Sequence, residues 1–575
     1  MRLNSIVLTL AASLSIVTAI PVKIRESEFR SYRTDYRPRG NHSWRIWVIF
    51  IVLCLLSFMS AVDATIVTTS LPTITREIGG AEQYVWIANS FLFASTVPQP
   101  LYGQISNIFG RRNPILLSIA FFALGSGIAG GATSPGMLIA ARTIQGFGSA
   151  GLYVLSDIII CDMIPPRHRG PYLSAVLSTA AIGTTIGPII GGALALTNWR
   201  WIFWLNLPVA GLGLVAIVLL LNVKYTCSPT WLHALGRVDF LGNAIFIPAM
   251  VSIFFGLITG GTPGYPWSSY RIILPLVLGV LGWVLFHVHQ ASPLCKEPST
   301  PPRLFKHRTS AGGFVIIFLG GVILQAINYF LPIYFQAVKG VSPLTSGVYF
   351  LPFALAIIPF GGISGALLSK TGRYIPLHWL GFAMSAIGVV IASGGRGIIF
   401  TVTLPSTLAP LPETDVSVAT GTYSFVRSFG LVWGLTMASV VFNGRVDVLV
   451  EQSGDDAVRA LLGDGRAYAF AAAASEGDGG GIAGLSEGAR REVIGVYVQA
   501  LMVVWLVVMA VSLLGFLVTF VEKHVDLRKE HTTEFGLAGK ETREGNDTSE
   551  VEEGKRDPGM GQDDRLISGS RVAPS

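Results

Sequence analysis

Asp63 and Arg142 are the residues on which chemistry could rest, because each is an ionisable side chain inside an apolar stretch. A charge at mid-span costs about 2.5–3.5 kcal/mol on insertion scales, so such a group normally faces a polar interior and a partner. Asp63 lies in AVDATIVTTSLP, about 24 Å along a helix that starts at Trp47, at ~1.5 Å per residue. Arg142 lies about 8 Å below the outer end of an oppositely directed helix by the same rise. The two depths agree, and an Asp63–Arg142 pair is expected. In one reading, proton and substrate compete for this carboxylate while Arg142 keeps it ionised until the cavity changes. In another, both residues are polar anchors, and in a third the arginine snorkels to the outer surface.

The elements that must position this pair are two neighbouring apolar segments within Leu138–Ala193. Each reaches the roughly 20 residues that a spanning helix needs. In the second, Gly183, Gly187 and Gly191 recur every four residues and so share one helical face. Successive small-xxx-small steps let another helix approach backbone to backbone. Pro188 removes an amide donor there and weakens the helix where it is packed. The segment reads as built for close packing and bending rather than for anchoring.

Composition sets the class. Of 575 residues, 51% are hydrophobic and only 13% charged, and the mean hydropathy is +0.58. A soluble chain would carry about 25% charged residues. A polytopic membrane protein is therefore expected, with the lipid bilayer as its first partner. The net charge of +7 is spread over many short loops, which excludes a single nucleic-acid-binding face. Cys54, Cys161, Cys227 and Cys295 are far apart and form no metal-ligand spacing or disulfide framework, so no metal is expected. His287 and His289, two apart, are poorly placed for a helical metal site. No phosphate-binding loop is present, which argues against an ATP-driven pump.

In chain order, residues 1–44 form an N-terminal tail. Its start, Met1 to Ala19, has the layout of a signal peptide, and a mis-assigned start codon is the favoured reading; a basic segment, Arg25 to Arg39, follows. Six apolar spans are expected within 45–222, two linking spans within 223–310 and six more within 311–521, with a long outside loop at 443–492. Residues 522–575 read as a disordered tail. Lys and Arg favour the inside loops of a chain whose N-terminus is cytoplasmic, with Arg396 counted in an outside loop. The twelfth span, Gly397–Ala409, is only about 20 Å of helix against the ~30 Å hydrocarbon core, so it is expected to be truncated, its shortness suggesting residues missing from the sequence.

The string Arg142-Thr-Ile-Gln145-Gly146-Phe-Gly148, followed by Gly183-xxx-Gly187-Pro188-xx-Gly191-Gly192, resembles the proton-linked antiporter signatures of the major facilitator superfamily. More narrowly it is similar to the fourteen-span drug:H+ antiporter family of fungi. Gly103-Gln-Ile-Ser-Asn107-Ile-Phe-Gly110-Arg111-Arg112 resembles that superfamily's loop between the second and third spans, with Asn107 where Asp is usual. A degenerate copy runs from Gly361-xxx-Gly365 to Arg373. The resemblance implies an all-α fold of two six-helix bundles and two linker helices. It also implies efflux of drugs, toxins or secondary metabolites in exchange for H+, powered by the proton gradient without a cofactor. Asp63, Arg142, Gln145, Arg427, Gln325 and Asn328 are the expected proton-coupling and cavity residues, with Tyr329 and Tyr334 beside the substrate path. Asp157 and Asp162, beside Arg167 and Arg169 at the inner end of the fourth span, are expected to be salt-bridge partners there. The expected protein is a monomer in the cell membrane or the vacuolar membrane. Two rival readings are a proton-coupled carrier for a small nutrient such as a basic amino acid or siderophore, and a membrane protein that no longer transports.

Overall fold

The computed structural model describes residues 44–79, 84–221, 230–262, 264–453, 456–463, 467, 470 and 485–528. The signal-like start, the basic segment and Cys227 lie outside these residues. The described chain is helical apart from one isolated bridge between Thr262 and Tyr265. This is what apolar runs dictate: in hydrocarbon each backbone amide and carbonyl must be paired within its own segment.

The helices are α1 (Trp44–Ile78), α2 (Tyr84–Thr96), α3 (Gln99–Phe109), α4 (Arg112–Gly130), α5 (Pro135–Met163) and α6 (Arg169–Ala195). After them come α7 (Trp201–Trp204), α8 (Asn206–Leu220), α9 (Trp231–Leu235), α10 (Phe240–Thr259) and α11 (Tyr270–Ala291). The remainder are α12 (Arg308–Ile333), α13 (Pro343–Thr371), α14 (Ile375–Ile387), α15 (Val389–Leu408), α16 (Val416–Ser453), α17 (Asp456–Leu462) and α18 (Glu487–Val518). Among the described residues, 11 helices are long and apolar enough to cross a membrane. The chain is thus an all-α, multi-pass membrane protein. Hydroxyl and carboxyl side chains set several starts: Ser134, Asp239, Ser342 and Ser486 each accept the amide of a residue in the first turn, satisfying a donor that the helix leaves open.

Three expectations are corrected. The twelfth span is not the short one. α15 runs 20 residues from Val389, about 30 Å at the helical rise, whereas α14 has 13. Gly394-Gly395-Arg396-Gly397 reads as a loop in the sequence, yet its glycines are contact points inside α15. A Cβ on Gly395 would lie 2.2 Å from the Gly381 carbonyl, and one on Gly397 2.6 Å from that of Ile357. Arg396 is consequently buried at 2% exposure rather than in an outside loop. It lies over the Phe353 ring, 4.2 Å from its centroid, and donates to Ser393 at 3.1 Å.

Within the region expected as a long outside loop, α16 continues through Asn443 to Ser453 and α18 begins at Glu487. At the other end, Glu522 to Arg528 is not a free tail. The Tyr374 hydroxyl donates to the Lys523 carbonyl at 2.6 Å and accepts from the Val525 amide at 2.8 Å. Glu522 is buried against His378, with Oε2 2.7 Å from Nδ1.

Candidate charge site and its supports

Asp63 and Arg142 meet. Arg142 Nη1 donates to Asp63 Oδ2 in a contact that both side chains make out of solvent, and Nη2 reaches the Asp63 carbonyl at 3.3 Å. Gln145, three residues on from Arg142, accepts from Nη1 at 2.9 Å and donates to Asp63 Oδ1 at 2.8 Å. Asn206 at the start of α8 donates to the same oxygen at 2.9 Å. Both amides also donate to the Ser126 hydroxyl, at 2.7 and 3.2 Å. The guanidinium lies over Phe91, 4.3 Å from the ring centroid, an arrangement in which the ring face attracts the cation. Three helices, α1, α5 and α8, therefore meet at one carboxylate, and Ser126 of α4 accepts from the two amides that hold it. Asn206, Ser126 and Phe91 were not identifiable from the sequence: each is an ordinary residue in an apolar run, and only the packing shows that it points inward.

The glycine face of α6 holds α1 in place. A Cβ on Gly183 would lie 2.6 Å from the Phe58 carbonyl, one on Gly187 2.9 Å from that of Val62, and one on Gly191 2.1 Å from that of Ile66. The backbone on both sides of Asp63 is thus in direct contact with the motif. Thr65 and Thr69 of α1 donate across it to the carbonyls of Thr184 and Pro188, at 3.1 and 3.0 Å. Gly192 has nothing within 4 Å and takes no part in this seam.

The arginine-rich loop forms a second cluster. Gly110 turns the chain with φ +76°, the left-handed region that favours glycine. Arg111 donates from Nε to Asp162 at 2.7 Å, from Nη1 to the Ser106 carbonyl at 2.9 Å and to Asn107 Oδ1 at 3.3 Å, and from Nη2 to Ser417 at 2.7 Å. Asn107 reaches the Thr414 carbonyl at 3.3 Å, and Arg112 the Val218 carbonyl at 2.7 Å. A Cβ on Gly103 would lie 2.7 Å from the Ser417 carbonyl, and one on Gly365 2.8 Å from the Gly170 carbonyl carbon. Arg167 donates to the carbonyls of Ser369 and Lys370, at 3.0 and 2.7 Å, and Arg303 grips Asp415 through two nitrogens. At this end the first and second halves of the chain are closed on each other.

Gln325, Asn328 and Arg427 are half-buried and do not join the Asp63 network. Asp162 pairs with Arg111, not with the neighbouring Arg167 or Arg169. Asp157 instead lies within electrostatic reach of Arg427 and makes no ion pair with Arg167 or Arg169. Arg169 turns to the carbonyls of Ile164 and Cys161.

Among the described residues, Asp239, His289 and Cys295 could hold a metal ion, their ligand atoms lying within 4.8 Å of one another. Gln290 donates to Asp239 Oδ2 and reaches Cys295 Sγ at 3.9 Å, so an amide already fills the space between two of them. Burial pushes the Asp239 carboxyl up, but hydrogen bonds from His289, the Gly242 amide and Gln290 outweigh it and hold the group below its usual range. The Cys295 thiol is pushed up to about 12 by burial and by Asp239. The cluster reads as a hydrogen-bonded joint between α10 and α11.

The family model of the Major Facilitator Superfamily matches residues 53–445. The MFS efflux transporter aclA of Aspergillus oryzae is 47% identical over 537 residues, covering 90% of this chain and 96% of that protein. The efflux pump FUS6 of Gibberella fujikuroi is 40% identical over 544 residues, covering 91% and 97%. Among solved structures, the proton:xylose symporter XylE superposes with a TM-score of 0.47 at 16% identity, covering 81% of this chain and 97% of that one.

Proposed function

Since the chain belongs to the Major Facilitator Superfamily, and is therefore a transporter rather than an enzyme, we propose that it exports small organic compounds in exchange for protons. The observation that carries this reading is the buried Asp63 carboxylate, held by Arg142, Gln145 and Asn206 against the glycine face of α6. An intramembrane ion pair is costly and marks a functional site by default. A proton arriving on Asp63 removes the charge that Arg142 pairs with, so proton and ion pair are alternative occupants of one site. Because α6 packs on the backbone around Asp63, release of the pair is felt at once by a helix that carries Pro188. Export is supported by the efflux activity in the names of the two fungal relatives.

In this account fourteen helical segments cross the bilayer, with α2–α3 and α7–α8 each counted as one and α14 the short member. α10 and α11 link two six-helix bundles that rock about a midplane cavity. The N-terminus is cytoplasmic, and the arginine-rich end, where the two halves are closed on each other, faces the cytosol. The drive is the proton gradient without a bound cofactor, in a monomer of the plasma membrane.

Comparing metabolites in medium and cells of strains with and without the gene tests the direction of transport. Export predicts that a set of organic compounds shifts from medium to cells when the gene is deleted. A nutrient importer predicts the reverse shift, and a chain that does not transport predicts none.

A further inference from the structure

A second set of charges lies apart from the Asp63 site, between α5 and α16. Asp157 is 8% exposed, makes no hydrogen bond among the described residues, and has Arg427 as the cation acting on it. Arg427 is half-buried and likewise makes no hydrogen bond or ion pair; its guanidinium sits 6.0 Å from the centroid of the Tyr423 ring. Tyr423, one turn earlier on the same face of α16, is 1% exposed with an unpartnered hydroxyl. A guanidinium and a phenol that both lack acceptors are costly in a spanning helix. An unpaired guanidinium also does not turn toward hydrocarbon, so the exposed part of Arg427 faces the seam between the halves.

The surroundings fit a ligand site. α12 crosses α16 here, with Gly321 against the Arg427 carbonyl, and Gln325 and Asn328 stand one and two turns further along α12. On the α5 side Tyr153, one turn before Asp157, lies within electrostatic reach of both Arg427 and Asp63. Tyr153 therefore feels both sets of charges.

We propose that Arg427 and Tyr423 form the binding site for the acidic group of an organic-acid cargo, a carboxylate or an acidic phenol, with Asp157 as the opposing charge that balances Arg427 when the seam is empty. The planar guanidinium fork matches a carboxylate through two parallel hydrogen bonds, and the Tyr423 hydroxyl supplies a third donor from the same helix face. An arriving anion competes with Asp157 for Arg427, so neutralising Arg427 and neutralising Asp157 should have opposite effects on its binding. The proposal rests on the transport reading and names the cargo's chemistry.

The test is equilibrium binding of 2-naphthoic acid and its methyl ester to the purified full-length chain in detergent. The wild type is expected to prefer the acid by about tenfold. Arg427→Gln should lose about tenfold for the acid and leave the ester unchanged, and Asp157→Asn should tighten the acid several-fold. A melting curve for each variant confirms folding. A wild type that binds neither compound or does not prefer the acid, an Arg427→Gln protein that weakens both equally or neither, or an Asp157→Asn protein that weakens the acid would each overturn the proposal. None of these outcomes touches proton coupling at Asp63, which is read from flux.

Discussion

At the scale of single residues, the Asp63 site is a carboxylate whose donors come from two other helices, α5 and α8, and each donor is open to test. Asn206 is the one with the least other work, since it gives hydrogen bonds only to Asp63 and Ser126. A hydrogen bond to a charged group contributes about 1.5–3 kcal/mol. Asn206→Ala is therefore expected to slow transport by about tenfold or more at equal surface level, measured as efflux rate per molecule; an unchanged rate would remove Asn206 from the site. The pair Asp63–Arg142 was legible from the sequence because depth in a helix is simply rise times residue number. Asn206 and Ser126 were not, because an amide or hydroxyl in an apolar run carries no mark of the face it will present. Arg396 was misread for the opposite reason: flanked by Gly394, Gly395 and Gly397, it resembles a turn, and only the approach of α13 and α14 shows those glycines as contacts.

At the scale of elements, the seam between α1 and α6 turns a repeat into geometry. Three glycines at four-residue spacing place backbone against backbone, and a side chain at any of them must push α1 away. Overpacking of this kind costs about 1–3 kcal/mol. Gly191→Val, where a Cβ would lie 2.1 Å from the Ile66 carbonyl, is expected to lower the melting temperature and abolish transport. Gly192→Ala has open space around it and should melt within about 0.5 kcal/mol of the wild type. Equal effects at the two positions would show that the face of the helix does not matter. The spacing announced this seam in the sequence, but not its partner. That α6 meets α1 on both sides of Asp63 follows from the fold alone.

At the scale of the whole molecule, the closed arginine-rich end defines one of the two states that a transporter must alternate between. Arg111 joins α3, α5 and α16 through Ser106, Asp162 and Ser417. Removing it takes from the buried Asp162, 6% exposed, the guanidinium that it pairs with, and breaking a buried pair costs about 3–5 kcal/mol. Arg111→Ala is expected to open this end. A cysteine replacing Asn107, in a chain whose native cysteines are serine, should then react with a membrane-impermeant maleimide about tenfold faster than with Arg111 present. An unchanged labelling rate would mean that the contacts between glycine faces, Gly103 with Ser417 and Gly170 with Gly365, hold the end closed unaided. The sequence pointed to this end through its basic loop and the degenerate second copy. It did not show that each copy would close on the opposite half of the chain, the first on α16 through Gly103 and Ser417, the second on α6 through Gly365 and Gly170.

The measurement that bears most directly on proton-coupled export is made in proteoliposomes holding a pH-sensitive dye, with an exported compound applied as a gradient. The wild-type chain is expected to move protons against the compound, seen as a pH change inside the vesicles that depends on the compound. Asp63→Asn, purified and folded to the same melting temperature, should give no such change. A full pH response from the Asp63→Asn protein would contradict the account and place proton coupling elsewhere in the chain.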